Sequence, residues 1–575
     1  MRAARAITHL RRQACLPAAA LIVCAASVLL APGLSCGKPK PAEPRLPRDV
    51  QVPPYLKDTV GEVARFAGRE GLAVQGYGFV TGLDGTGTKV MPPGVRQQVL
   101  DMMRRHKVDK PEEVLTSPDN AVVMVMGVLA PGIGKGEVFD LEVRAVPTTE
   151  TTSLEGGFLL ECDLAQVVAS RGVAARGEVA ALGRGSIFVS PFAGDDKSPA
   201  SEPRPSGSGA VAADPRIGRV LGGGRALKGL NFRLILLTPS ARTADQIIRL
   251  VNARFPGAAK GTTDPGRVDL EVPREHQDDK IHFLDLVGAV FLRESPDARD
   301  QRVGLLVEAL QAGRDLDRVS LGLEAMGASI VPRLRPLASH PSEAVRFYVG
   351  RTLANLQDAQ AVSILEPVLM SDASEFQESA VEALGRLRSG IGLGVLGRAL
   401  NVKNARVRVA AWQAMARIAP RMFVAKAFPD KFILSIVATR GEPFVYVSRT
   451  LKPQVAIFGD VAVRPPMLAE TRRAVATAQA GAAEVTLIAR WHGRDWRVAA
   501  PLDVPGMVEK VAAPMGGEEG QAAANQGLDL GYSDVVGLLY EMSRKKALSA
   551  PLVLQPLQYR IGGERPVARP IGDEP

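Results

Sequence analysis

Cysteine is scarce in this chain, with four residues among 575. Cys15 and Cys24 lie in an apolar N-terminal stretch, which leaves Cys36 and Cys162 for the remainder. Two distant cysteines cannot form a disulfide framework, and no Cys-x-x-Cys pair is present. These absences exclude a small disulfide-stapled fold and a cysteine-based zinc site.

Histidine is also scarce, and the six residues are scattered without the spacing of a metal site. His276 and His282 are the nearest to a pair, and we interpret them as an exposed turn before a strand. Neither a Ser/His/Asp order nor a motif of paired carboxylates is present. The sequence therefore predicts no catalytic residue, no metal site, no cofactor and no enzymatic activity.

Beyond the first twelve residues, charge of one sign is not concentrated in the chain. The formal net charge is +10, and four of the positive charges lie in the first twelve residues. The other basic residues are interspersed with acids, which indicates a solvated surface and no nucleic-acid partner. With 46% hydrophobic residues, the chain is able to form two or more globular domains.

The first 35 residues have the pattern of a signal peptide. A basic region precedes an uncharged apolar run, Ala14 to Leu30, which is interrupted only by Pro17. A retained membrane anchor is the alternative, because the run is at the lower limit of a membrane span. Ser35-Cys36-Gly37 looks like a lipobox, although Gly33 stands where a large apolar residue is usual. We predict lipidation of Cys36, with cleavage near Ser35 without lipid as the alternative.

Pattern changes divide the mature chain into segments. Residues 36–54 form a Pro-rich tether. Residues 55–190 and 216–296 indicate two mixed α/β domains, separated by a flexible Ser/Pro/Gly-rich loop at 191–215. The first has strand patterns at 122–129, 138–146 and 157–164, and a helix pattern from Pro93 to His106. Residues 426–575 indicate a β-rich C-terminal region with a closing helix from Ser533 to Ser543.

Residues 297–425 repeat on themselves with a period of 31 residues. The equivalent positions are Leu353, Leu384 and Met415, then Leu356, Leu387 and Ile418, then Val349, Ala380 and Ala411. The repeats resemble HEAT-like helix pairs, and stacked repeats form a continuous core with an elongated face for a protein partner. We therefore expect a modular block whose core depends little on the flanking domains.

Glycines between residues 76 and 87 suggest phosphate binding, because Gly82-x4-Gly87-Thr88-Lys89 is close to a P-loop. The Thr-Lys order is the reverse of a P-loop, and two prolines follow. We predict a packing and assembly element in which glycine allows positive φ or close backbone approach. Its residues are Gly76, Tyr77, Gly78, Gly82, Gly85 and Gly87. Gly222 to Gly224, flanked by Arg219 and Arg225, is a second candidate anion site, which we interpret as a plain loop.

The segment from Val74 to Gly87, after Leu56-Lys57-Asp58, resembles the N-terminal signature of the flagellar P-ring protein family. Later landmarks follow in the family's order: Ala121 to Val125, Gly136 to Val143, Ser153 to Leu160, Ile217 to Arg219, Ala244 to Phe255 and Val268 to Pro273. The likeness covers about residues 56 to 292. Val447 to Val463 and Tyr532 to Leu554 resemble the family's closing segments more weakly.

The resemblance implies an α+β fold of P-ring-like domains with an inserted all-α HEAT-like solenoid. It also implies a structural subunit that forms a homo-oligomer around the flagellar rod in the periplasm, with rod and L-ring proteins as partners. The alternative is an envelope lipoprotein scaffold unrelated to motility, in which the repeats bind a protein partner. Either protein would reach a membrane through a lipid on Cys36.

Overall fold

The computed structural model describes residues 53–556, except 54, 56, 90–92, 106–108, 116, 171–172, 193–213, 294, 388–389, 492–493 and 516–525. The predicted signal peptide and Cys36 lie outside the described residues, as do most of the tether and most of the 191–215 loop. The fold combines several β-sheets with a helical region, which confirms the predicted α+β class.

Six antiparallel strands form a closed barrel. Their order is β2-β3-β4-β7-β6-β5, and β5 pairs with β2, so this sheet has no open edge. Strands β2 to β7 are Leu72–Thr81, Ala121–Leu129, Val138–Ala145, Phe158–Ser170, Val173–Ser186 and Ile217–Ala226. The core inside the barrel includes Phe79, Val125 and Leu141, each fully buried.

Glycines make room for an aromatic ring in this barrel. A Cβ at Gly127 would lie 2.6 Å from Cε2 of Phe139, and a Cβ at Gly224 would lie 2.6 Å from Cζ of the same ring. Small side chains must face large ones in a narrow barrel. The prediction that Gly222 to Gly224 form a plain loop is therefore wrong, because β7 is needed between β4 and β6 to close the barrel.

Two helices lie beside the barrel, α2 at Pro93–Arg105 and α3 at Pro111–Val114. Helix α2 confirms the helix predicted from Pro93 to His106. Its buried residues Val99, Leu100 and Met103 belong to the barrel core. The strand predictions at 122–129, 138–146 and 157–164 are also confirmed, although β5 continues to Ser170.

A second, four-stranded antiparallel sheet has the order β1-β8-β10-β9. Its strands are Ala64–Ala67, Phe232–Leu236, Arg267–Leu270 and Ala259–Gly261 in that order. Helices α1 (Val60–Val63), α4 (Ala241–Arg254) and α5 (Lys280–Ala289) share its core, and Ser240 caps α4 by accepting a hydrogen bond from the amide of Thr243. The pairing crosses the expected boundary between residues 55–190 and 216–296, because β1 joins this sheet and β7 joins the barrel.

The two neighbouring histidines are placed differently from the prediction. His276 lies in a 3-10 helix, Arg274–Asp279, and stacks edge-on against Phe255. His282 lies in α5, where its Nε2 is 2.9 Å from Oε1 of Glu324. The expected turn before a strand is wrong, because Asp279 caps a helix by accepting from the amide of His282.

A helical block follows, from Pro296 to Ile418. Helices α6 to α13 are Pro296–Gln311, Leu316–Met326, Val331–Leu334, Glu343–Asn355, Gln360–Met370, Gln377–Gly385, Leu393–Ala399 and Ala405–Ile418. The predicted equivalent positions lie in every second helix, α9, α11 and α13, or directly after it. Polar residues keep the same period, because Arg386 donates to Asn355 and Asn355 donates to Glu324, each pair 31 residues apart. The assignment as an inserted HEAT-like unit stays a prediction.

The C-terminal region contains a five-stranded sheet with the order β11-β12-β14-β13-β19. These strands are Val424–Phe428, Phe432–Val437, Gln454–Phe458, Phe444–Val447 and Leu552–Leu554. Strand β14 ends at Phe458, because Gly459 takes a φ of 71°.

A four-stranded sheet with the order β15-β16-β17-β18 follows it, and two helices cover both sheets. Its strands are Met467–Glu470, Ala474–Ala478, Glu484–Trp491 and Arg494–Pro501. The helices are α14, Val504–Ala512, and α15, Tyr532–Arg544. Helix α15 confirms the predicted closing helix.

The core of the helical block is not separate from the sheet that follows it, contrary to the expectation. Trp412 of α13 packs edge-on against Tyr446 and Phe458 of the five-stranded sheet, with ring centroids 6.0 and 5.8 Å apart. The buried Arg408 donates through Nη1 to the carbonyl oxygen of Glu442, and its guanidinium lies over the ring of Phe444. One continuous hydrophobic cluster therefore includes the helices and one face of this sheet.

Candidate assembly site

The glycine-rich segment begins inside β2, where two glycines are required by packing. A Cβ at Gly76 would lie 2.2 Å from the carbonyl oxygen of Asp163. A Cβ at Gly78 would lie 2.7 Å from Cδ1 of Leu159 and 2.8 Å from Cγ2 of Val125. Tyr77, between them, is half-buried against the barrel core. These residues are thus fixed by contacts within one chain.

The loop after β2 contains the remaining predicted glycines. Gly82 and Gly85 have φ of 78° and 79°, which a residue with a Cβ adopts at a cost. Space around Gly85 is open, since nothing lies within 4 Å of a Cβ built there. A Cβ at Gly87 would lie 2.0 Å from the carbonyl oxygen of Asn120. Gly85 is therefore the position where a side chain would strain the backbone without striking a neighbour.

The backbone amides of this loop are already used within the protein. Gly87 donates to the carbonyl oxygen of Pro118 and Thr88 donates to that of Asn120, both at 2.8 Å. The amide of Gly85 donates to Oδ1 of Asp119 at 2.8 Å. A phosphate-binding loop presents free N–H groups to its ligand, so this loop lacks the geometry of a P-loop.

An arginine from the C-terminal region holds the same loop. Arg472 lies in the turn between β15 and β16, and its Nη1 donates to Oγ1 of Thr86 at 3.0 Å. Its Nη2 donates to the carbonyl oxygens of Leu83 and Asp84, at 3.1 and 3.0 Å. The C-terminal region thus contacts the signature directly, a feature that local sequence patterns did not indicate.

A cluster of charged residues extends this contact. Arg473 Nη1 lies 3.5 Å from Oδ2 of Asp534, and both side chains are buried. Burial raises the pKa of Glu155, and the nearby Asp534 carboxylate raises it further, while Arg472 and Arg473 oppose the shift. Glu155 lies in the segment between barrel strands β4 and β5, so the cluster joins the barrel to the C-terminal region.

The second candidate anion site is occupied by a carboxylate of the protein. Asp140 Oδ1 accepts from the amides of Gly222 and Leu451, each at 2.7 Å. Burial raises the pKa of Asp140, whereas these two hydrogen bonds and Arg219 lower it. Packing requires glycine at position 222, because a Cβ there would lie 2.4 Å from the carbonyl oxygen of Leu451.

Two absences from the described part of the chain bear on this region. None of its helices combines the length and the apolar character that a membrane span requires. No group of three His, Cys, Asp or Glu residues could hold a metal ion there. Cys162 is buried inside the barrel, and burial raises the pKa of its thiol to about 12.

Comparison with known proteins gives one family. Residues 59–308 match the family model of the flagellar P-ring protein, and this range includes the whole barrel and the second sheet. Flagellar P-ring protein 1 of Chromobacterium violaceum is 31% identical over 207 residues, which are 34% of this chain and 51% of that protein. This chain therefore spans about half the length of that relative.

Other relatives align over a longer part. The flagellar P-ring protein of Anaeromyxobacter sp. strain K is 27% identical over 314 residues, which are 53% of this chain and 78% of that protein. The flagellar P-ring protein of Caulobacter vibrioides is 24% identical over 331 residues, which are 55% of this chain and 83% of that protein. The resemblance read from Val74 to Gly87 is thereby confirmed, because residues 59–308 of this chain are similar to the flagellar P-ring protein family.

Proposed function

We propose that this chain is a non-enzymatic structural subunit of the bacterial cell envelope, and that copies of it assemble into a P-ring-like ring around the flagellar rod in the periplasm. The observation that carries the proposal is the family match over residues 59–308. That range contains the closed barrel and the glycine-rich loop.

The loop supports an assembly role because it is rigid and presented at a surface. Its amides and the carbonyl oxygens of Leu83 and Asp84 are bonded within the chain. Asp84 and Gly85 are nevertheless exposed. A rigid, exposed loop loses little conformational entropy when it meets a neighbouring subunit. We propose that Gly82, Gly85 and their neighbours contact the next copy in the ring.

The experiment is to purify hook–basal bodies from the source bacterium with the chain epitope-tagged at its genomic locus. Immunogold labelling at the rod, and loss of one ring when the gene is deleted, would support the proposal. A matched strain carrying Gly85→Val tests the loop, because a Cβ at this position meets no neighbour within the chain. Basal bodies with a normal ring and no label would contradict the function.

The helical block is the basis of a second candidate, an envelope scaffold unrelated to motility. Most of the block lies beyond the matched range, which ends at residue 308. We propose that its exposed face binds a protein partner in either case. Recovery of the tagged chain from membranes but never from basal bodies would favour the scaffold.

Lipidation of Cys36 is a separate proposal that applies to both functions. The intact mass of the membrane-associated chain tests it, since the acylated form begins at Cys36 and carries the mass of its acyl chains. A mature chain that begins elsewhere would contradict lipidation and leave export unaffected.

A further inference from the structure

Strand β11 forms an open edge of the five-stranded sheet, with β12 on one side. The amide of Ile433 on β12 donates to the carbonyl oxygen of Pro453, toward β14. Ala427, which is paired with Ile433, must therefore direct its N–H and C=O away from the sheet, and so must Ala425 by the alternation of an antiparallel ladder. Both residues present unused backbone groups along the edge.

The surroundings of this edge are open to solvent. Val424 to Ala427 are all exposed, and Val424 is 68% exposed. Met422, directly before the strand, is 58% exposed. In the described part of the chain, no hydrogen bond reaches the backbone of Ala425 or Ala427 from outside the sheet. An exposed strand edge is a template for pairing with another chain, so this edge is open to a partner.

A cavity of about 670 Å³ opens at the C-terminal end of the same strand. Ala427 lines it, so the edge runs into the cavity. Its aromatic lining residues are Phe158, Phe188, Phe428, Phe432 and Tyr532. The cavity is large enough for an aromatic side chain and offers ring surfaces for it to pack against.

The charges at this cavity are unevenly compensated. Two inner cations have partners, because Lys431 pairs with Asp529 at 2.5 Å and Arg473 pairs with Asp534. Arg184 and Lys452 are exposed at the cavity and have no carboxylate partner among the described residues. In the same described part, Asp430 is the acidic residue that lines the cavity in the same exposed and unpaired way, so two such cations face one such carboxylate. The surplus is positive and favours an acidic ligand.

We propose that the edge of β11 and the adjoining cavity bind an extended segment of a partner protein that carries aromatic residues at alternate positions and acidic residues at the end nearest the cavity. Backbone hydrogen bonds to Ala425 and Ala427 add the segment to the sheet as a further strand. Alternate side chains of a strand point to opposite faces, so one set of side chains enters the aromatic cavity. Acidic residues of the segment pair with Arg184 and Lys452.

The test measures the fluorescence anisotropy of two labelled peptides on the purified full-length chain. Both peptides carry phenylalanine at alternate positions, and one has glutamates at both ends whereas the other has lysines there. We expect the acidic peptide to bind at least about tenfold more tightly. A third peptide, the acidic one with methylated amides at alternate residues, should lose at least about tenfold in affinity, because it cannot pair with an edge. Equal binding of the three peptides would overturn the proposal.

Variants then locate the site. Ala425→Pro removes an outward-facing N–H and no internal hydrogen bond, and it should weaken binding of the acidic peptide at least about tenfold. Ala425→Val keeps the N–H and is the matched control, with unchanged binding expected. The double variant Arg184→Glu with Lys452→Glu should reverse the preference between the two charged peptides. These exposed positions are expected to leave the fold intact, which the melting temperature checks.

Sedimentation velocity identifies the remaining alternative. If the chain alone self-associates through this edge, Ala425→Pro will dissociate it while the acidic peptide has no effect on the wild type. That outcome would assign the edge to a second copy and overturn the proposed partner.

Discussion

The barrel and the helical block solve the problem of burying apolar side chains in different ways. The barrel closes on itself, and its hydrophobic cluster consists of its own strands with the flanking segments between residues 72 and 230. The helical block joins its core to the sheet that follows it, through Trp412, Tyr446 and Phe458. One region is complete within its own sequence range, whereas the other depends on residues that come after it.

This difference changes how the helical repeats should be understood. A 31-residue period suggested helix pairs that contact mainly their neighbours. The last pair instead ends against Phe444, Tyr446 and Phe458, which would be exposed to water if the helices were absent. The repeats therefore act as one layer of a larger α/β core.

Deleting the helices should have the largest effect on folding and is the strongest test of the difference between the two regions. Replacing residues 297–419 with a Gly/Ser linker should leave an insoluble or partly unfolded protein, because it uncovers the aromatic face of the five-stranded sheet. Circular dichroism and limited proteolysis measure the result, and the full-length chain is the control. A soluble deletion protein with one cooperative unfolding transition would show that the block is a modular insertion after all.

Trp412→Ala should cost about 3–5 kcal/mol of unfolding free energy, because it empties the contact between α13 and the sheet. Trp496→Ala is the matched control, since that ring is 44% exposed and its loss should cost less than about 1 kcal/mol. Urea denaturation followed by circular dichroism compares them. Similar costs for both would mean that the helices and the sheet are not coupled through Trp412.

Gly78→Val tests the closed barrel and should cost about 1–3 kcal/mol, because the added atoms strike Leu159 and Val125. Gly85→Val meets no neighbour, so its cost is the backbone strain of a positive φ, about 1–2 kcal/mol. Thermal melts of the two purified variants give the order. If Gly85→Val lowered the melting temperature more than Gly78→Val, the loop would make packing contacts with another copy of the chain.

Glu155→Gln, at the junction between the barrel and the C-terminal region, should have the smallest effect on stability. The pKa of Glu155 is raised in the folded chain, so folding favours its protonated form. Wild-type stability should therefore fall as pH rises from the ordinary glutamate pKa through the raised value. The amide introduced by the substitution does not titrate, so the variant should lose less stability over that window. Melting temperatures measured across it check the sign, and parallel curves would contradict the prediction.

Local patterns in the sequence identified much of the secondary structure. Helix α2, strands β3 and β4 and the equivalent positions of α9, α11 and α13 were predicted because each has a clear apolar period. Strand β7 was missed, since its Gly222-Gly223-Gly224 run has the composition of a loop. The run forms a strand because it pairs with β4 and β6 and so closes the barrel.

The candidate site was predicted in part. The glycines from Gly76 to Gly87 were singled out from their sequence, and the structure gives packing or φ reasons for each of the five. Arg472 was missed, because it lies almost four hundred residues further along the chain. A contact of that separation leaves no periodic signal in the sequence around it.

The sequence by itself determined most of the elements and the family resemblance, because helix and strand periods, glycine turns and a long signature are properties of neighbouring residues. The tertiary structure decided which elements share a core. Pairing of β1 with β8, closure of the barrel by β7, and packing of Trp412 on Phe458 all join residues far apart in the chain. Such pairings depend on which surfaces fit together when apolar groups leave water, and composition and spacing do not encode that fit locally.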